Sequence, residues 1–283
     1  MFIFFMALYF IANTMCRLLI RVFTQKTKLD AYSASFAITI STYIVGLAYG
    51  LLRLEQPLLQ GFTPMVALSV FGVGVMQVFA GKIAVVTQKQ IETAQYSVIR
   101  MLQVPISVAI STLFLGEALT LVQTVGMLSI LAGVSIVSTG GKIPRLKHFG
   151  RYELLTIANS AFLGVYTVFN RYLIEQTSLS TLMVVWAGIE MIPLLATIVK
   201  RPTQMPARSD IVLALGIGTT AVLNIVAFWL AVAIAGNVAL VSSLSAFRVV
   251  AIFAGSYLIL KEKNNLTPKI IGSLLAVVGL LLG

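Results

Sequence analysis

The residues from Ile211 to Phe247 contain no charged side chain, and neither do those from Gln56 to Gly81 or from Ala118 to Gly141. A helix that crosses a bilayer needs about 20 mostly apolar residues, so the longest of these runs holds most of two spans, broken at Gly236-Asn237. Charged residues make up 10% of the chain and hydrophobic residues 59%, whereas an ordinary globular domain is roughly 25% charged. That balance excludes a soluble protein. The segments also lack the short apolar–polar alternation of an outer-membrane barrel. An all-α polytopic membrane protein is expected.

Ten spans fit the pattern, at 2–23, 32–53, 62–87, 92–115, 118–138, 152–174, 178–199, 210–234, 237–260 and 266–283. Connections are short and leave no room for a soluble domain. The polar, glycine-rich loop 140–150 separates a first five-helix repeat, 1–139, from a second, 151–283. Five is odd, so the second half enters the membrane from the opposite side, and the repeats are inverted. The halves also echo each other in sequence. Leu115-Gly116-Glu117 lines up with Leu260-Lys261-Glu262, Leu119-Thr120 with Leu266-Thr267, and Gly126 with Gly272; Ala7 to Arg17 lies over Ala161 to Arg171. Weak internal symmetry in a hydrophobic chain is typical of secondary transporters, whose binding site lies between the repeats near the bilayer midplane. Met1 leads almost directly into an apolar segment, with no basic stretch before it and no Ala-x-Ala site after it, so a retained first helix is expected rather than a cleaved signal peptide.

The formal charge of +11 is concentrated in loops on one face: Arg21, Lys26 and Lys28, then Lys142, Arg145, Lys147 and Arg151, then Lys200, Arg201 and Arg208, then Lys261, Lys263 and Lys269. Arg53, Glu55, Glu117, Arg171 and Glu175 mark the other face. This is a topology signal, not a nucleic-acid footprint, and the positive-inside rule makes the basic face cytoplasmic with both termini outside. The single cysteine, Cys16, allows no internal disulfide and no Cys cluster for a metal. The sole histidine, His148, sits in the central loop as a surface residue. No cofactor or metal is expected.

Charges inside the bilayer are the sharpest functional clue, because each costs about 2.5–3.5 kcal/mol even on the lenient insertion scale. Arg100, Glu190 and Arg248 lie deep, and Lys82 lies nearer a helix end, where it can snorkel. Arg17 and Arg171 lie near helix ends, so they are expected to be interface anchors. Arg248 is eleven residues into the ninth span, about 16 Å at 1.5 Å per residue, with Ser245 one turn before it. Arg100, Gln103, Ser107 and Ser111 recur at helical spacing along the fourth span, and the repeat sets Gln103 over Arg248. Glu190 lies beside Pro193, which cannot donate to the carbonyl of Ile189, and broken helices of this kind line transporter cavities. It either neutralises Arg248 or Arg100, or binds a cationic substrate group or a coupling proton. Tyr9, Asn13, Gln77, Tyr166, Asn170, Trp186, Thr220 and Asn224 could complete a polar cavity, with substrate contacts expected at all of these but Thr220.

The helix interrupted by Pro105, followed by Leu115-Gly116-Glu117, Leu119-Thr120 and a closing helix from Gly126 to Gly133, resembles the EamA-type branch of the drug/metabolite transporter superfamily. The resemblance covers essentially the whole chain, is specific for the family and is nearly silent on substrate. It implies ten helices in two inverted repeats around a central cavity, with the fifth and tenth helices peripheral. It also implies both termini in the cytoplasm, the reverse of the charge count. Two departures stand out: Lys261-Glu262 where the pattern has Gly-Glu, and Val250 where the first copy has Pro105. Glu117 and Glu262 are expected to cap the helix that follows each of them. Gly126, Ser129 and Gly133 on the fifth helix, and Gly272, Ala276 and Gly279 on the tenth, are expected to pack helices within one chain, as monomer or weak homodimer.

The expected function is secondary active transport, in the direction of export, of a small polar metabolite such as an amino acid or organic anion, by alternating access in the inner (plasma) membrane. The partners are then a small-molecule substrate and the lipid bilayer. Drug or amine efflux with Glu190 as the cation site is the alternative. A membrane-embedded enzyme fits less well, since the chain has no His-Glu-x-x-His, no Gly-x-Ser-x-Gly, no Asp pair and no glycine-rich phosphate loop.

Overall fold

The computed structural model describes residues 1–53, 63–115, 120–139, 150–185, 189, 204–235, 241, 245, 248–262 and 266–282. Glu117, Trp186, Glu190, Pro193, Asn237 and the central-loop residues Lys142, Arg145, Lys147 and His148 lie outside them, as do Lys200, Arg201 and Lys263 and the side chains of Ser111, Asn170 and Arg171. Among the described residues all regular structure is helical: α1 (Phe2–Lys26), α2 (Ala31–Leu52), α3 (Pro64–Gln90), α4 (Thr93–Ile99), a 3-10 turn (Arg100–Leu102), α5 (Gln103–Leu115), α6 (Leu121–Thr139), α7 (Arg151–Gln176), α8 (Arg208–Ala235), α9 (Arg248–Leu258) and α10 (Leu266–Leu282). Residues 179–185 are helical as well. Four helices, α1, α2, α3 and α8, are long and apolar enough to cross a membrane, which marks a membrane-embedded protein.

Local chemistry sets the helix starts. The Asp30 carboxylate accepts the Ser33 N–H at 2.7 Å to cap α2, and Thr63 Oγ1 accepts that of Val66 at 3.2 Å to cap α3, whose first residue is Pro64. Inside the helices, hydroxyls bond the carbonyl one turn back. Ser41 donates to Ala37, Thr87 to Ile83, Thr156 to Tyr152 and Ser160 to Thr156, each at 2.8 Å. That is how a short polar side chain stays satisfied where water is absent.

The fourth span, expected as one helix over 92–115, is divided by the 3-10 turn. Pro105 explains the break: it has no N–H for the Met101 carbonyl and its ring crowds that carbonyl, so the preceding turn tightens.

Close backbone approach organises the packing. α8 packs on both α1 and α2, α3 and α5 pack on α7, and α6 packs on α10. A Cβ on Gly218 of α8 would come within 2.6 Å of the Ser41 carbonyl of α2. Between α6 and α10, a Cβ on Gly133 would overlap the Gly272 carbonyl, and one on Gly279 the Gly126 carbonyl. Gly126, Gly133, Gly272, Ala276 and Gly279 therefore meet within one chain. Ser129 does not join them; its hydroxyl bonds the Val125 carbonyl on the exposed side at 3.0 Å.

One end of the bundle is basic. Cross-helix contacts bring together the ends of α1 and α3, the starts of α4, α7 and α10, and the segments before α2 and α8. Arg21, Lys26, Lys28, Lys89, Arg151, Arg208, Lys261 and Lys269 gather there, and Met1 and Arg53 lie at the other end.

Candidate functional site

A cavity of about 230 Å³ opens between α1, α2, α3, α4, α7 and α8. Apolar residues such as Ile38, Val85, Ile217 and Val222 form part of its wall, and Asn13, Arg17, Gln77, Gln88, Tyr96, Arg100, Asn159, Tyr166 and Asn224 supply polar groups. Asn13 and Asn224 bond each other at 3.0 Å across the α1–α8 contact. Most of the other amide groups do not find partners. Gln77 Oε1, Gln88 Oε1, Tyr96 Oη, Arg100 Nε and both amide atoms of Asn159 are buried without a partner among the described residues. Thr14 Oγ1, Ser97 Oγ and Ser273 Oγ are likewise buried without a partner among the described residues and lie off the cavity, whereas the longer groups converge on one space.

Two guanidiniums share the ring of Tyr96. The central carbon of Arg17 lies 5.9 Å from the ring centroid and that of Arg100 lies 5.8 Å from it, both within cation–π range. The position of Arg100 depends on the 3-10 turn, which Ser160 of α7 braces by donating to the Ile99 carbonyl at 3.2 Å. Arg17, expected as an interface anchor, is a cavity residue instead. Because α1 continues to Lys26, Arg17 is nine residues, about 14 Å, from the helix end, and its stem cannot span that distance.

Of the other expected site residues, Asn13, Gln77, Tyr166, Asn224 and Arg100 line the cavity. Arg248 does not; its guanidinium donates to the Tyr9 hydroxyl at 2.7 Å, and Tyr9, only 2% exposed, packs with Met6, Ala227, Ala231 and Val241. This half-buried charge thus has a phenol partner and is not among the residues that line the cavity. Gln103 is off the lining too. Ser107 bonds the Val104 carbonyl at 2.8 Å, and the Lys82 ammonium rests 3.4 Å above the Tyr32 ring centroid. Sequence reasoning missed Tyr96, Gln88 and Asn159 as well as Arg17. The spacing of Tyr96 to Arg100 and of Asn13 to Arg17, one turn in each case, carried the signal for half of these.

A polar cluster lies at the basic end of the cavity. Glu262 takes the Arg21 Nε at 3.1 Å and the Thr93 N–H at 2.9 Å. Arg21 also donates to the carbonyl of Gln88, whose side chain lines the cavity. Glu92 pairs with Lys269 of α10. Glu262 therefore caps α4 across the bundle, a partner the sequence did not point to, while the residues that join it to α10 lie outside the described ones. The reason is a vacancy: Glu92, at the N-cap of α4, bonds Lys269 and makes no cap bond of its own. Burial pushes the Glu262 carboxyl above its ordinary value, opposed by Arg21 and the Thr93 N–H.

No family model matches this sequence, and no curated protein does. The fold itself has a counterpart: the crystal structure of a protein aligns with TM-score 0.62 over 97% of each chain, at 17% identity. That likeness is one of fold, and it spans the whole chain.

Proposed function

We propose that this protein is a secondary transporter of a small polar metabolite, with ten spans in two inverted repeats and the cavity between α1, α2, α3, α4, α7 and α8 as its solute site. The observation that carries this reading is the convergence of several buried polar groups without described partners on one cavity. In a structural core such groups would be paired or replaced. Along a solute path, they wait for the solute.

Helix pairing supports the repeats. Exchanging the halves sends the α1–α8 contact onto α7–α3, the contact of α5 with α7 onto that of α9 with α1, and α6–α10 onto itself. The basic end, where Glu262 and Arg21 pair, is read as the cytoplasmic face of the inner membrane. Coupling to a proton through Glu190 is part of the proposal, and a Glu190→Gln protein with an unchanged pH profile of transport rejects that part.

The lone thiol offers a test. Cys16 is buried and lines the cavity. Vesicles of both orientations are treated with a membrane-impermeant maleimide. In an alternating-access protein Cys16 is labelled from each side, at rates that shift when solute is supplied. Labelling from one side only, in every condition and also in a Glu262→Ala variant that loses the Arg21 and Thr93 contacts, rejects the transporter.

A further inference from the structure

The polar groups of the cavity are not evenly placed. At 1.5 Å per residue from the basic end, Arg100 and Arg17 lie about 10–14 Å deep and Gln77 about 20 Å deep. At the shallower level two permanent cations share one aromatic ring, whose hydroxyl is buried without a partner, as is the Nε of Arg100. Asn159 presents both its amide atoms unpaired on the same cavity. No carboxylate stands among the described lining residues to balance Arg17 and Arg100. Like charges around one ring repel, and among the described residues this level has N–H and O–H donors and a net positive charge. The ligand that satisfies it brings negative charge and acceptor oxygens.

We propose that Arg17, Tyr96 and Arg100 form an oxyanion clamp, so that the solute carries a carboxylate or phosphate. Its other end bears a hydroxyl or amine that bonds the Gln77 amide. The offset between the two levels, about 6–10 Å, fits a compact organic acid, amino acid or sugar phosphate. The clamp is reached from residues that the sequence pattern did not join, since Arg248 is engaged by Tyr9. This inference rests on the cavity being the solute site.

Tyr96→Phe makes the sharpest test. Its hydroxyl has no described partner, so removing it should leave the empty protein at least as thermally stable as before while weakening the ligand. Purified full-length protein is melted with inorganic phosphate, succinate, glutamate or glucose 6-phosphate, and separately with glucose and choline. At least one oxyanion is expected to raise the melting temperature of the native protein, and equally that of Lys82→Gln, which loses a cation outside the cavity. Affinity for that oxyanion is expected to fall by about ten-fold or more in Arg17→Gln and by a few-fold in Tyr96→Phe. Should Arg17→Gln fail to fold, Tyr96→Phe still decides. The proposal is overturned if none of these oxyanions shifts the melt. It is also overturned if only glucose or choline does so, or if the oxyanion shift survives undiminished in Tyr96→Phe and in any folded Arg17→Gln. An anionic lipid, phosphatidylglycerol, that stabilises where every free oxyanion fails overturns it too. Oxyanion binding through these residues with Cys16 confined to one side would spare the clamp and sink the transporter, and two-sided Cys16 without oxyanion binding would do the reverse.

Discussion

Lys261 holds φ at +56°, the left-handed conformation that glycine adopts at no steric cost. It occupies the place where the first half has Gly116, so the departure from the Gly-Glu pattern is a strained residue at the end of α9. The bend it makes is useful. It turns the chain so that the Glu262 N–H meets the Ser256 carbonyl at 3.2 Å while its carboxylate reaches across to α4. Lys261→Gly is expected to stabilise the protein by about 1 kcal/mol, read as a higher melting temperature with the Cys16 labelling pattern unchanged. A lower melting temperature would mean that the lysine makes a compensating contact.

α6 and α10 show what small residues accomplish at the scale of an element. Lipid tails are as apolar as leucine, so helices gain from close contact more than from burial. A Cβ on Gly272 would overlap Val137 and the Gly133 carbonyl, which are on a neighbouring backbone that cannot move aside alone. Gly272→Val should therefore cost about 1–3 kcal/mol by overpacking. Ser129→Leu, on the exposed side of α6, should stay within about 0.5 kcal/mol. Melting curves of the two variants check both statements. The fourth span makes the complementary point. Pro105 and the tightened turn before it cost a regular helix, while Arg100, one α-helical turn after Tyr96, meets that ring from the end of α4 itself.

The whole molecule is joined at its basic end by Glu262, which holds α1 through Arg21 and α4 through Thr93. Burial raises its carboxyl above the ordinary value, and in the proposed transport cycle it returns toward that value when this end opens to water. The closed form therefore binds the proton more tightly than the open one. Its advantage is fully present below about pH 4.5 and is lost as pH rises through the closed-state value. Raising pH through that window should speed Cys16 labelling from the basic side, beyond the rise due to thiol ionisation. Glu262→Gln, a neutral isostere, should stay closed and show only the thiol's own pH dependence. Equal pH profiles in the two proteins would exclude Glu262 as the latch.

Long uncharged runs are enough to require membrane-embedded helices, because backbone groups in hydrocarbon must be satisfied within the segment. The small-residue face of α6 and α10 follows from sequence for a similar reason, since it has a helical period. Depth alone, however, misassigned the arginines. Arg248 is as deep as Arg100, yet one meets Tyr9 and the other the cavity. Which way such a charge faces depends on how its helix is rotated against its neighbours, and packing sets that rotation. The partner of Glu262 was equally hidden, because Arg21 and Thr93 are 241 and 169 residues away along the chain. Periodicity reports which residues share a face of one helix. Only packing decides what that face meets.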